Sequence, residues 1–384
     1  MANGEIDLSD GFRRLGRDAL IARLHAEAPL SREVRGYWIA SRFDDVRAIL
    51  LDHKRFSSSA MTGGGPNAIP FPLLTDDPPR HTALRGLLAK AFTPAAMQAM
   101  RPAIEALAHE LAGAIPAGAP VDIVEALTTP LPVRVIAGMM GVPAERAADF
   151  KRWSNATLGV QDGPLQPERI RLFMELRAYF MGLVEARRAE PGDDLVTALT
   201  RASEAAETLT DDQIVGFCIL LMIAGNETTT NLLGNLLNRL ADAPGEWAAL
   251  RADPALIEGA IEESLRVDSP AQFVWRRATE TVALGGETIG AGDRVLVYLA
   301  SANRDPSRWT DPGDIAFARE VGRHVAFGHG VHTCIGAPLA RMEARAAMQA
   351  LVARFATIAR GSGAGERQDG GILYGFRSLP VVFG

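Results

Sequence analysis

Between Ile214 and Gly225 the chain runs for 12 residues without a charge, IVGFCILLMIAG, and no other stretch restricts the fold as much. A bilayer span needs ~20 apolar residues, so this run predicts a helix buried in protein. Thr210-Asp211-Asp212-Gln213 stands just ahead of it with capping-box spacing, which marks the helix start. A helix that is apolar all round must be enclosed by other elements. With 384 residues, 47% of them hydrophobic, the chain has enough material to enclose it.

The flanking sequence is rich in Ala, Leu and Arg and reads mostly as helix. Residues 36–40 predict a strand and 44–51 a helix. Residues 57–75 hold Gly63-Gly64-Gly65-Pro66 and further prolines, the composition of a long mobile loop that carries function. Helices are expected over 80–91, from the Thr93-Pro94 cap through to about residue 203, from Asp253-Pro254 to before Pro270, and over 336–355. Residues 281–300 alternate or run apolar between glycines and read as short strands. The expectation is a mainly α fold with small β-sheets, one domain over 1–384, with no repeat and no linker.

Net charge is −6 and no Lys/Arg block stands out, which argues against nucleic acid as a partner. The first twenty residues mix Asp, Glu and Arg with no apolar stretch, so neither a secretory leader nor a membrane segment is expected. The only cysteines are Cys218 and Cys334, which makes a disulfide framework improbable and suits a reducing cytoplasm. Cys218, inside the apolar helix, reads as core.

Cys334 sits differently, in Phe327-Gly328-His329-Gly330-Val331-His332-Thr333-Cys334-Ile335-Gly336, between a glycine-rich loop and the start of a helix. The helix dipole and nearby backbone N–H groups lower a thiol pKa there. Gly328, Gly330 and Gly336 keep side chains away from a flat partner. An anionic sulfur beside such a surface suits the axial ligand of a porphyrin iron, where a thiolate favours O–O cleavage. Two rival readings stand beside this one. His324, His329, His332 and Cys334 could bind zinc, although that leaves the glycines unexplained, or Cys334 is a structural thiol.

The loop resembles the haem-binding loop of the cytochrome P450 family, and Ala337-Pro338-Leu339-Ala340-Arg341 continues its bacterial form. Glu263-Ser264-Leu265-Arg266 is similar to the family's Glu-x-x-Arg helix, and Ala224-Gly225-Asn226-Glu227-Thr228-Thr229 to its oxygen-activating helix. Asp77-Pro78-Pro79-Arg80-His81-Thr82 through Arg85 is similar to its third helix; Asn303-Arg304-Asp305-Pro306 and Arg323-His324-Val325-Ala326-Phe327 also fit. These segments follow family order from about residue 75 to 345. The resemblance implies a P450 fold and a monooxygenase. It inserts one atom of O2 into a substrate C–H or similar bond, and the other oxygen leaves as water.

The resemblance also implies the cofactor, haem b (heme, iron protoporphyrin IX), with Cys334 on the iron and O2 as cosubstrate. His81, Arg85, Arg276 and His332 would hold the propionates, and bidentate arginine suits a carboxylate. Phe327, Gly328 and Ala224 would border the porphyrin, and Arg277 would be left to solvent or a structural pair. Glu227 and Thr228 interrupt an apolar helix and are costly there unless satisfied or used. Their functional reading is a relay, with Thr228 hydrogen-bonding dioxygen and Glu227 bringing protons from solvent. The plain alternative is a threonine bonded back to the preceding turn beside a water-filled kink, and Gly225 permits such an opening of the helix. Glu263 and Arg266 carry over as a structural pair joined to an arginine near the cysteine loop.

Leu220, Ile223, Ala224, Gln272, Phe273 and Val274, with Ile372 and Leu373 from a C-terminal turn and residues 57–75, are expected to line a pocket for an apolar small molecule. The haem helix ends near residue 355, so electrons are expected from a separate protein, by resemblance a ferredoxin with its reductase. Arg319, Arg323, Arg341 and Arg345 could form its docking face or be ordinary ion pairs. Two other functions share the scaffold: a peroxide-driven variant, which the Glu227-Thr228 pair argues against, and a non-catalytic haem sensor or redox carrier.

Overall fold

The computed structural model describes residues 5–27, 30–61, 71–157, 167–206, 209–319, 324–368 and 371–384. Its first half is helical: α1 (Leu8–Glu27), α2 (Phe43–Leu51), α3 (Arg80–Ala89), α4 (Pro94–Ala114), α5 (Pro130–Met139), α6 (Ala147–Thr157), α7 (Pro167–Ala189) and α8 (Leu195–Ala206). Then come α9 (Asp211–Asp242), α10 (Pro244–Ala252), α11 (Leu256–Val267), the short α12 (Leu299–Ala302) and α13 (Ala337–Arg354). The strands before α6 are β1 (Glu5–Ile6), β2 (Leu30–Glu33), β3 (Trp38–Ala40), β4 (Phe56–Ser57) and β5 (Pro120–Asp122). The later ones are β6 (Val274–Ala278), β7 (Val282–Leu284), β8 (Glu287–Ile289), β9 (Arg294–Val297), β10 (Ile358–Arg360), β11 (Glu366–Gln368), β12 (Gly375–Ser378) and β13 (Pro380–Phe383).

The apolar run is the middle of α9, a helix of 32 residues and hence about 48 Å long. Its start is the expected one: Thr210 Oγ1 accepts from Gln213 N, and the Gln213 side chain accepts from Thr210 N. Its first half packs with α3, α5 and α7 around Phe180, Phe217 and Met222. The second half joins α4, α11 and α13 around Leu236, Leu265 and Leu351. No break opens at Gly225. That glycine instead lets α9 approach α5, where an added Cβ would stand 3.2 Å from Ile136 Cδ1.

Several elements depart from expectation. The helical stretch up to residue 203 is interrupted by β5 and by a π-helical turn, Val124–Thr128. The C-terminal strands were unforeseen as well. β13 lies between β10 and β5, pairing Val381 with Val121. Segments of three or four residues carry too little periodicity to be read, and the partner of β13 in β5 lies more than two hundred positions away.

The largest sheet has the order β1-β2-β3-β9-β6-β4. Its pleat decides which side chains reach the site. On β6, Arg276 pairs with Val295 and Val274 with Val297, while Trp275 pairs with Leu296. Val274, Val295 and Val297 share one apolar cluster. Phe273, Trp275 and Leu296 share another, under α1 with Leu20 and Leu24. Successive strand residues alternate faces, so Arg276 and Val274 look one way and Trp275, with Phe273, the other.

Candidate active site

The cysteine loop leaves α11's neighbourhood at His324 and ends on α13. Gly328 and Gly330 have φ of +69° and +72°, a region L side chains avoid. A Cβ on Gly330 would also stand 2.5 Å from the Leu50 carbonyl oxygen of α2. That glycine therefore serves the seat of the loop on α2, and the flat-partner argument does not explain it. Cys334 N donates to Phe327 O at 2.9 Å, closing the loop on itself. The Phe327 ring lies under the Arg341 guanidinium at 4.6 Å.

Cys334 is exposed by surface area, yet burial is the largest influence on its thiol and pushes the pKa up. Protein crowds the sulfur in a recess that is open on one side. Hydrogen bonds from the Gly336 and Ala337 backbone, and the charges of Arg85 and Arg341, oppose that rise. The expected lowering influences are present, but burial outweighs them. A buried sulfur with two N–H donors becomes a stable anion when a metal ion takes it as ligand.

Beside the recess lies a cluster rich in positive charge. His81 is 1% exposed and Arg276 4%. Neither ring nitrogen of His81 has a hydrogen-bond partner, and its ring lies 4.2 Å from that of His332. Arg276 spends one described hydrogen bond on Trp275 O, 2.7 Å. Arg85 is felt by His81, His332 and Cys334 alike. Burial, then Arg276 and His81, pushes His332 down to about 3. Burial also pushes Arg276 down to about 10, against the pull of Asp77. Asp77 faces His81, Arg276 and His332, and Asp76 also acts on His81. An added anion would relieve the cluster and give His81 its missing partner. The four residues expected to hold propionates are thus together, next to the cysteine. Arg277, on the opposite face of β6, is exposed. An open cleft of about 820 Å³ lies at the outer end of this cluster, lined by His53, Lys54, Ser57, Asp77 and Thr82, and it reaches neither Cys334 nor α9.

On α9 the buried helix surfaces along one line: Leu220, Ile223 and Thr228 are half-buried and Ala224 is exposed. Residues four apart share a face, so Leu220, Ala224 and Thr228 form one wall. Ile335, next to the cysteine, packs on the same cluster as Ile223 and Leu84. Thr228 Oγ1 donates to Ala224 O at 2.8 Å, the back-bond to the preceding turn, and its lone pairs stay available. Glu227 is buried and its Oε1 has no partner. Burial, opposed by Arg169, pushes Glu227 up to about 8, so it carries its proton at neutral pH. Gln272 N donates to Ile372 O, and Ala271 bridges Leu373, so the C-terminal turn lies against the segment leading into β6. Phe273 is a correction: edge-on to Trp275 at 5.9 Å, it belongs to the face under α1, away from Arg276. Residues 62–70 of the expected pocket loop lie outside the described residues.

Glu263 and Arg266 are both fully buried and paired through Nε–Oε1 at 2.6 Å and Nη2–Oε2 at 2.9 Å. Arg319 joins at 3.1 Å as a second arginine, in the place where one near the cysteine loop was expected. That use withdraws Arg319 from a docking face. Arg341 pairs with Glu262 and Arg345 with Glu258, while Arg323 lies outside the described residues. The ordinary ion-pair reading therefore describes three of the four. Among the described residues no group of three or more His, Cys, Asp or Glu converges to hold a metal, and His324 is occupied by Glu262 at 3.1 Å, which removes the zinc reading. Sequence reasoning missed Ser57 and Ser58, which bind Asp77, and Glu262. Asp77 stood within a recognised motif, but nothing local pointed to its partners.

The family model described as Cytochrome P450 matches residues 162–372. The chain is 38% identical over 375 residues to the cytochrome P450 monooxygenase PikC of Streptomyces venezuelae, covering 94% of this chain and 89% of that one. Among solved structures it is similar to the cytochrome P450 CYP109Q5 from Chondromyces apiculatus, at 37% identity, with TM-score 0.89 and coverage of 99% and 98%. It is also similar to CYP109E1 from Bacillus megaterium in complex with testosterone, at 36% identity, with TM-score 0.87 and coverage of 94% and 96%.

Proposed function

Because the chain belongs to the cytochrome P450 family and is a monooxygenase, we propose that it hydroxylates an apolar small molecule with electrons supplied by a separate ferredoxin and reductase. One observation supports the site assignment above all: the Cys334 sulfur, with two backbone N–H donors, lies beside a cationic cluster whose buried His81 lacks any hydrogen-bond partner. That donor set suits a haem of the b type, with Cys334 on the iron and His81, Arg85, Arg276 and His332 on the propionates. Bound there, the haem would supply the redox chemistry by which O2 is cleaved.

The chain's own residues supply the rest. Glu227 holds a proton at neutral pH next to the Ala224–Thr228 face and can release it when a base forms nearby. Thr228, its hydrogen already given to Ala224 O, offers lone pairs as an acceptor and can turn to donate. Leu220, Ile223, Ala224, Val274, Ile372 and Leu373 offer aliphatic surface for an apolar ligand and exclude water from its reacting carbon. Testosterone in the related Bacillus megaterium structure supports a ligand of that polarity. The ferredoxin rests on kinship with bacterial relatives, since Arg319, Arg341 and Arg345 are ion-paired.

The test is spectroscopic first. Reduced protein under CO is expected to give the thiolate-type Soret band of haem-thiolate coordination, and Cys334→Ala to lose it. With a ferredoxin system and NADH, steroids and similarly apolar compounds are expected to yield oxygenated products. An unchanged CO spectrum in the variant removes Cys334 as ligand. Product formation driven only by peroxide removes the ferredoxin.

A further inference from the structure

Ser58 opens the short 3-10 turn Ser58–Met61 after β4, at the head of the pocket loop. It is 0% exposed, and its Oγ lies 2.9 Å from His332 Nε2. The neighbouring carboxylate already accepts from this turn. Asp77 Oδ1 receives Ser58 N at 3.0 Å, and Oδ2 receives the Ser57 hydroxyl. Asp77 Oδ1 is 3.9 Å from His332 Nε2, beyond hydrogen-bond reach.

Two arrangements of hydrogens fit that geometry. If Nε2–H donated to Ser58, the serine hydrogen would be buried with no acceptor among the described bonds, at a cost of ~1–3 kcal/mol. If Ser58 donates to a bare Nε2, that cost disappears and the ring hydrogen sits on Nδ1. None of the described hydrogen bonds involves Nδ1. A propionate is acceptor-only, so Nδ1–H is the form that can bind one, whereas a bare Nδ1 would repel it.

We propose that Ser58 is a positioning residue for the cofactor, fixing His332 in its Nδ1–H tautomer so that the ring donates to a haem propionate. The inference rests on the haem-thiolate reading above. It links the start of the pocket loop to the grip on the haem through a single hydrogen bond.

The experiment uses the diamagnetic ferrous–CO holoprotein labelled with 15N-histidine, with the His332 signal identified by its loss in His332→Gln. Wild type is expected to show a protonated Nδ1 and a bare Nε2. Transfer of ferric haem to apomyoglobin is expected to be about fivefold to tenfold faster in Ser58→Ala, the effect of losing one such hydrogen bond. Ser58→Thr, which keeps the hydroxyl, is expected to restore both the tautomer and the rate. A protonated Nε2 in wild type overturns the proposal, and so does haem loss from Ser58→Ala at the wild-type rate. If Ser58→Ala does not fold, the wild-type tautomer decides. Absence of the thiolate-type CO band in wild type would instead strike the haem-thiolate reading itself, a different signal in the same sample.

Discussion

Glu227 shows what burial does to a single carboxyl. Surrounded by apolar helix, with Oε1 unpartnered, it is pushed from the ordinary 4.5 up to about 8. Below pH ~4.5 folded and unfolded chains both hold this proton, and the group makes no difference to stability. Between there and pH 8 the unfolded chain releases it and the folded chain keeps it, so rising pH favours unfolding. Above pH 8 the loss is complete. Glu227→Gln removes the ionisation, and its stability relative to wild type is expected to climb from pH 5 to 8 and level off at roughly 2–5 kcal/mol. Urea denaturation of both proteins across that range checks it. A pH-independent difference would mean that Glu227 is ionised in the fold and has no proton to give at neutral pH.

At the scale of elements, the cysteine loop separates two uses of glycine. Gly328 and Gly330 share positive φ, but a Cβ on Gly328 meets nothing closer than His332 O at 3.7 Å, whereas on Gly330 it strikes Leu50 O at 2.5 Å. Gly328→Ala is expected to lose ~1–2 kcal/mol, the left-handed penalty alone. Gly330→Ala is expected to lose clearly more and to release haem faster, because the loop must lift off α2. Equal losses in thermal denaturation would contradict the seat. Contrasts of this kind explain what could be read in the sequence. The capping box at Thr210, the Thr93 cap and the Glu263–Arg266 spacing are local, so their chemistry is written in consecutive residues. The cysteine loop and the α3 histidine and arginine were readable for the same reason. Phe273 was misplaced because strand pleat follows from pairing with β9, and only the register shows that Val274 shares Arg276's side. The hold of Ser58 on His332 spans 274 positions, and the partnership of β5 with β13 is as remote. The net rise at Cys334 depends on three-dimensional crowding that no local pattern records.

At the scale of the whole molecule, α11 works as a clamp for everything that presents the cysteine. Arg266 uses all five guanidinium N–H groups: two on Glu263 and one each on the carbonyls of Asn303, Pro312 and Asp314. Glu263 holds Ala316 N and Arg319. Glu262, one residue before, binds both His324 at the loop's entry and Arg341 on α13. Asn303 continues the chain of contacts, accepting from Val325 N at 2.7 Å. The described stretch between β9 and the cysteine has little regular structure, so its course depends on this polar core. Arg266→Met removes the closer cationic partner of the buried Glu263 carboxylate and leaves it only Arg319, and it is expected to cost ~3–5 kcal/mol. Adding Glu263→Leu removes that under-compensated carboxylate, though Arg319 then loses its partner, so the double variant should be more stable than the sum of the single losses by ~1–3 kcal/mol. It should stay below wild type, because three carbonyls remain without their donor. Urea denaturation followed by the Soret band and by far-ultraviolet dichroism measures all four proteins. Strict additivity would show that Arg266 acts through the carbonyls alone, and the ion pair would then be no part of what holds the loop.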